Sequence, residues 1–182
     1  MGGVLAWLVG RRLVAEGEEV ARLVLLDSPA PPAAGEAPED YDDGRLLPVF
    51  ARYLGARRGR SLAPVPRPED LLRAAVAAGA VPSDYGEAQL LDLLRVFKAG
   101  LLRSVRQLWA CRAAGTVPFP ITLLRPRQAL GAFDDLFPDQ AARWADLTSA
   151  ELEVRRVPGD HYTLFLPDHA GELAAEMRRS LA

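Results

Sequence analysis

The sequence contains little cysteine and little histidine, and this excludes several kinds of site. Its 182 residues include one cysteine, Cys111, and two histidines. A single cysteine cannot form an intrachain disulfide, and these three side chains are too few for the usual zinc sites built from Cys and His. A chain without disulfides is typical of a reducing compartment, so we expect a cytoplasmic protein.

The sequence also lacks an excess of charge of either sign. It has 22 basic and 24 acidic residues, a formal net charge of -2, which gives no electrostatic basis for binding nucleic acid or an anionic membrane. No apolar run is long enough to cross a bilayer, and the apolar start lacks the basic leader of a signal peptide. We therefore expect no nucleic acid partner and no membrane association.

Apolar patterns of helical and strand type alternate along the chain. With 49% hydrophobic residues the chain can bury the core of one domain, which we assign to residues 1–182. The predicted elements are a helix over 4–16, a strand over 20–27, helical patterns over 46–54, 68–78 and 85–114, a strand over 120–125, a short helix over 140–144, a strand over 152–157 and a helix over 168–181. Short, nearly continuous apolar strands between helices predict an α/β fold with a parallel sheet.

The helical patterns between the first two strands indicate an insertion over the sheet, residues 39–115. The segment from Pro29 to Asp43 is rich in Pro, Ala and acidic residues and is predicted to be an exposed connection outside the core. Three strands make a thin sheet, so we expect the amino-terminal strands of a larger sheet to be absent. An unpaired edge of this kind favours aggregation or a partner, and a homodimer is one such state.

A histidine at the end of the last strand is the first candidate catalytic residue. Residues 157–163 read Val-Pro-Gly-Asp-His-Tyr-Thr, which puts His161 on a glycine-containing loop after the strand over 152–157. Functional residues of parallel sheets lie beyond the carboxyl ends of the strands, and a general base belongs there. An isolated histidine is more often a surface or core residue, but the flanking pattern favours the catalytic interpretation.

Asp27 is the candidate partner of His161. It directly follows the first predicted strand, so its carboxylate could orient the imidazole and stabilise the imidazolium. An aspartate at a strand end is also a common turn or cap residue. Asp134 or Asp135 is an alternative acid, because either lies in the loop after the strand over 120–125.

The start of the chain, Met1-Gly2-Gly3 followed by a helix, matches the end of a nucleophile elbow, Gly-x-Ser-x-Gly. This interpretation puts the nucleophilic serine directly before Met1, and without other support Gly2-Gly3 would simply be a flexible start. Ser28 is rejected as a substitute because Pro29 follows it and no glycine flanks it. Cys111 lies in a helical pattern and is interpreted as a packed thiol.

The chain resembles the thioesterase domains of modular polyketide and nonribosomal peptide synthases, which have an α/β-hydrolase fold. The resemblance extends over essentially the whole chain. The segments that carry it are 2–6, 23–28, 96–99, 120–125 and 158–163, in this order and spacing.

The resemblance implies a Ser-His-Asp triad, in which His161 is the base and Asp27 the acid. It implies no cofactor of the domain's own, since the acyl or peptidyl substrate arrives as a thioester on the phosphopantetheine of a carrier protein, the expected partner. Release is by hydrolysis or macrocyclisation, under a helical lid formed by residues 39–115. Because no serine stands at the elbow, we expect the chain as written to be inactive. The alternatives are a non-catalytic remnant that docks a carrier protein and a general esterase of the α/β-hydrolase type.

Overall fold

The computed structural model describes residues 1–32, 40–60, 62, 63, 65, 67–111, 115–130, 134, 137 and 139–181. Six helices and three strands lie in these ranges. In chain order they are α1 Gly2–Ala15, β1 Leu23–Leu26, α2 Asp43–Ala56, α3 Pro68–Ala77, α4 Glu87–Ala110, β2 Ile121–Pro126, α5 Gln140–Ala145, β3 Leu152–Val157 and α6 Pro167–Leu181. None of the described helices is both long and apolar enough to cross a membrane.

The three strands form one parallel sheet in the order β1-β2-β3. Leu25 pairs with Leu123, and Leu123 in turn pairs with Val154. Because all three strands run the same way, their carboxyl ends lie at one edge of the sheet. The segments that follow β1 and β3 therefore emerge close together, which is the arrangement in which α/β proteins build their sites.

Helices cover both faces of the sheet. Leu25 and Leu123 pack with Val4 and Trp7 of α1 in the main hydrophobic core. Neighbouring positions on the strands, such as Leu124, point to the opposite face and pack with residues of the last loop and α6. The result is a three-layer arrangement, and it confirms the predicted α/β class with a parallel sheet.

The chain between β1 and β2 folds into helices α2, α3 and α4 with a core of their own. Phe50, Leu71 and Leu90, one from each helix, are at most 1% exposed. They belong to a hydrophobic cluster separate from the one under the sheet. These are the helices that the sequence patterns predict, although residues 39, 61, 64, 66 and 112–114 of the predicted insertion lie outside the described residues.

The start of the connection after β1 differs from its predicted exposure. Ala30 is only 1% exposed, and its backbone N–H donates to Oε1 of Gln140 at 2.5 Å. The prediction that this segment stays outside the core is wrong for Ala30, because a glutamine on α5 supplies the acceptor that a buried N–H needs. Residues 33–39 of the same segment lie outside the described residues.

Candidate active site

Asp27 follows the last residue of β1 at the carboxyl edge of the sheet. Its backbone N–H donates to the carbonyl oxygen of Leu124 at 2.8 Å and extends the ladder by one residue. Its φ is 41°, in the left-handed region that few non-glycine residues adopt. Aspartate tolerates this conformation because its short polar side chain can bond locally. The strand therefore ends in a turn that leaves a carboxylate, 15% exposed, at the sheet edge.

His161 lies on a tight loop after β3. Both the backbone conformation and the close packing at position 159 of this loop require glycine. The φ of Gly159 is 78°, which favours glycine. A Cβ at this position would lie 2.5 Å from Nδ1 of His169, so there is no room for a side chain either. The Gly159 carbonyl accepts a hydrogen bond from the backbone N–H of Gln128 at 3.0 Å, which ties the loop to the segment after β2.

Asp160 caps the single turn that carries His161, residues 161–165. Its Oδ1 accepts the backbone N–H groups of Tyr162 and Thr163, each at 2.9 Å. In return, the backbone N–H of Asp160 donates to Oγ1 of Thr163 at 2.8 Å. This reciprocal pattern is that of a capping box, and it fixes the backbone on both sides of the histidine.

The side chains of His161 and Asp27 are hydrogen-bonded to each other. Nδ1 of His161 lies 2.8 Å from Oδ2 of Asp27. Because a carboxylate can only accept a hydrogen bond, this contact assigns the proton of the neutral imidazole to Nδ1 and its lone pair to Nε2. The imidazole is 33% exposed and can still reach a substrate. This arrangement can hold a base in one tautomer and stabilise the imidazolium that forms when Nε2 takes a proton.

The alternative acid Asp134 is engaged elsewhere. Its carboxylate accepts the backbone N–H of Leu130, and its Oδ1 lies 3.7 Å from Nη2 of Arg125. Asp135 lies outside the described residues. Of the two described candidates, the structure brings Asp27 to His161.

A cavity of about 490 Å³ opens beside His161. Its walls are mostly apolar side chains of α2 and α4, among them Phe50, Tyr53, Leu54, Leu93, Phe97 and Leu101. Phe97 and Leu101 are therefore wall residues as well as packing residues. Trp109, further along α4, packs against Phe137 with ring centroids 5.8 Å apart. An apolar cavity with a few polar groups at one end is typical of a site for a largely apolar ligand.

Tyr162 links the histidine to the helical insertion, a contact that the sequence analysis does not predict. Its ring lies edge-on to the ring of His161, with centroids 5.1 Å apart, and edge-on to that of Tyr53 at 5.7 Å. Burial raises the pKa of Tyr162 above its ordinary range, because the ionised phenolate would be poorly solvated there. The one signal in the sequence was its position next to His161.

Gly3, at the start of α1, has a structural role. The backbone N–H of Gly3 donates to Oγ of Ser28 at 3.1 Å, and a Cβ on Gly3 would lie 2.2 Å from that oxygen. The close approach of α1 to the end of β1 therefore requires glycine at this position. A second cavity, of about 290 Å³, is lined by Met1, Gly2, Gly3 and His161 among others.

Cys111 has the packed position that its helical pattern predicts. Cys111 is half-buried and packs against the main core. Within the described part of the chain, no group of three or more His, Cys, Asp or Glu side chains is arranged to hold a metal ion.

Comparison with known proteins identifies the family and supports the fold. A family model described as a thioesterase domain matches residues 1–181. A search of curated proteins found no match. The crystal structure of holo-AB3403, a four-domain nonribosomal peptide synthetase bound to AMP and glycine, is 23% identical with a TM-score of 0.56, covering 98% of this chain and 14% of that one.

The Vlm2 thioesterase domain is similar as well. Its wild-type structure is 22% identical with a TM-score of 0.53, and the match covers 98% of this chain and 65% of that one. The chain thus spans less than two thirds of the length of these structures. At such identities the structural likeness shows the fold, while the family model identifies the family. The chain belongs to the thioesterase domain family.

Proposed function

We propose that the chain is the part of a serine-type thioesterase domain that supplies the acid and the base. Its reaction is release of an acyl or peptidyl chain from the phosphopantetheine of a carrier protein, in nonribosomal peptide or polyketide synthesis. The observation that carries the proposal is the hydrogen bond of 2.8 Å between His161 and Asp27 beside an apolar cavity of about 490 Å³. The setting is the cytoplasm, where such synthases meet their carrier proteins.

His161 is the general base in this proposal. Its Nε2 takes the proton of a serine hydroxyl, whose oxygen attacks the thioester carbonyl and forms a tetrahedral intermediate. Asp27 does not take up the proton, but accepts the Nδ1–H bond and stabilises the positive imidazolium. When the C–S bond breaks, the imidazolium returns the proton to the leaving thiolate, and the acyl group remains on the serine as an ester.

The second half of the reaction uses the same pair in the same way. His161 takes a proton from water, or from a hydroxyl or amine of the bound chain, and that nucleophile attacks the acyl ester. Collapse of the intermediate returns the proton to the serine oxygen. Water gives a free acid, whereas an internal nucleophile gives a macrocycle. The cavity wall from α2 and α4, acting as a lid, sets which outcome is favoured because it controls the access of water.

The position proposed for the serine is directly before α1. The cavity lined by Met1, Gly2, Gly3 and His161 supports this position, because a side chain just before α1 would lie next to the imidazole. In the nucleophile elbow the Ser stands between a strand and a helix, as a residue before α1 would. Without that serine, the chain should show no turnover.

The roles of His161 and Asp27 can be tested in a form of the chain that is extended upstream of Met1. Matched histidine and aspartate variants of that form serve as test and control. We expect His161→Ala to abolish turnover of an acyl carrier protein thioester, while His169→Ala retains it. Asp27→Asn should lower kcat by about 10³ to 10⁴-fold, because the amide no longer fixes the tautomer or the charge. Asp134→Asn is the control for the carboxylate. Equal effects of the two aspartate changes would contradict the assignment of Asp27.

Labelling with a fluorophosphonate tests the nucleophile. The extended form should be labelled at the serine before Met1, and the chain as given should not be labelled. An extended form that is not labelled but binds an acyl carrier protein would instead be a non-catalytic docking domain. Equal rates on simple esters and on carrier-protein thioesters would indicate a general esterase.

A further inference from the structure

The carboxylate of Asp160 is buried and only partly satisfied. Asp160 is 0% exposed. Its Oδ1 accepts the two backbone N–H groups of the capped turn, but no donor among the described residues forms a hydrogen bond to Oδ2. Burial of a charge without a compensating partner costs free energy, so we expect a cation near this oxygen.

The cation beside Oδ2 comes from the helical insertion. Nη1 of Arg52, on α2, lies 3.6 Å from Oδ2 of Asp160, and the Arg52 side chain is 23% exposed. This distance is that of an ion pair without a close hydrogen bond. At partial exposure the pair is less screened by solvent than a surface salt bridge.

Helix α2 also contacts the residue on the other side of the histidine. The ring of Tyr53, next to Arg52 in sequence, lies edge-on to that of Tyr162 at 5.7 Å. Residues 160 and 162 therefore both touch α2, and His161 lies between them. The imidazole position depends on this turn, because Asp160 binds the backbone N–H groups of both Tyr162 and Thr163.

Loss of the Arg52 charge would leave Asp160 as a buried, unpaired carboxylate. The chain can relieve that cost by turning the carboxylate toward water. To do so it must release at least one of the backbone N–H groups at Oδ1, which loosens the turn. A loosened turn no longer holds Nδ1 of His161 against Asp27.

We propose that Arg52 is a positioning residue that acts through Asp160. It neutralises the buried carboxylate, which keeps the turn at 161–165 capped and His161 on Asp27. Its importance for catalysis rests on the proposed function, in which His161 is the base. The coupling of Arg52 to the imidazole rests on the ion pair and the capped turn alone.

A neutralisation cycle tests this coupling in the chain itself. The variants are Arg52→Met, Arg52→Lys, Asp160→Asn and the double change of Arg52→Met with Asp160→Asn. Arg45→Met, which removes a charge from the exposed side of the same helix, is the control. The readout is the hydrogen-bonded Nδ1 proton of His161 in ¹⁵N-edited NMR, assigned by its loss in His161→Ala. The other histidine, His169, contacts the Thr163 carbonyl of the same turn, so its signal is assigned separately by its loss in His169→Ala.

We expect Arg52→Met to broaden or abolish the His161 Nδ1 proton signal. The double variant should recover it, because an asparagine at 160 still accepts the backbone N–H groups through Oδ1 and carries no charge. Arg52→Lys and Asp160→Asn should keep the signal, and so should Arg45→Met. An unchanged signal in Arg52→Met, or a double variant no better than Arg52→Met, would overturn the proposal. If Arg52→Met does not fold, the double variant decides: it should fold and keep the signal, and failure to do so overturns the proposal.

Turnover in the extended form gives a second readout. We expect Arg52→Met to lower kcat on the order of 10²-fold, the effect of a base displaced by about 1 Å, with KM little changed. Asp160→Asn in the same chain should restore kcat. The two proposals can fail separately. If the extended form has no thioesterase activity, but the His161 Nδ1 proton signal is lost in Arg52→Met and recovered in the double variant, the proposed function is refuted and the coupling stands. If Arg52→Met keeps full activity and an unchanged His161 Nδ1 proton signal, the coupling alone is refuted.

Discussion

Replacement of Gly159 by alanine should destabilise the protein more than the same change at another left-handed glycine. Gly159 has a φ of 78° and Gly17 a φ of 89°. At both positions the left-handed conformation destabilises an alanine by about 1–2 kcal/mol. Gly17 has nothing within 4 Å of an added Cβ. It therefore isolates the backbone contribution and serves as a matched control.

At Gly159 a steric contribution adds to this strain. The new Cβ would lie 2.5 Å from Nδ1 of His169 and 2.9 Å from Oγ1 of Thr163. His169 can rotate away only by giving up its contact of 3.0 Å with the Thr163 carbonyl. The Thr163 hydroxyl in turn accepts the backbone N–H of Asp160. Overpacking against such fixed groups costs about 1–3 kcal/mol.

We therefore expect Gly159→Ala to lower the free energy of unfolding by about 2–5 kcal/mol, against about 1–2 kcal/mol for Gly17→Ala. Urea unfolding followed by tryptophan fluorescence measures both, and the three tryptophans report on the fold. Equal losses in the two variants would refute the steric argument, because strain alone would then account for both.

Two further predictions concern buried polar groups. Thr148→Val should lower the free energy of unfolding by about 1–3 kcal/mol, because its buried hydroxyl donates its one proton to the Phe119 carbonyl oxygen at 2.8 Å, with the Val117 carbonyl oxygen at 3.2 Å as a shared acceptor. Thr116→Val, at an exposed position, should have little effect in the same urea titration. Burial raises the pKa of Tyr41 to about 12. The unfolded chain loses this proton near pH 10, so it binds fewer protons than the native state between about pH 10 and 12, and the free energy of unfolding should fall as pH rises through this window. Tyr41→Phe should flatten that dependence, and an unaltered slope would contradict the burial argument.

The sequence was sufficient to predict the elements that pack by regular patterns. The strand predicted over 152–157 has the same bounds as β3, and the other strands differ from prediction by one to three residues at each end. The encounter of Asp27 with His161 was also predictable in outline. Both follow parallel strands, and the carboxyl ends of such strands share one edge of the sheet.

The contacts made by the helical insertion were not predictable in this way. Nothing in the period of α2 indicates that Arg52 reaches Asp160, because the placement of inserted helices over a sheet follows no register rule. The burial of Ala30 depends likewise on Gln140, a residue distant in sequence that supplies the acceptor. Both cases are single polar contacts between segments whose relative position depends on the whole fold.

The left-handed backbone at Asp27 restricts which residues can replace this aspartate. Glycine, asparagine and aspartate adopt such a φ at low cost, whereas glutamate does not share this tolerance. The two replacements that the backbone accepts most readily, asparagine and glycine, both remove the acid while leaving the turn intact. Substitutions at this strand end can therefore preserve the fold while they remove the carboxylate, so that the proposed acid can be lost without loss of structure.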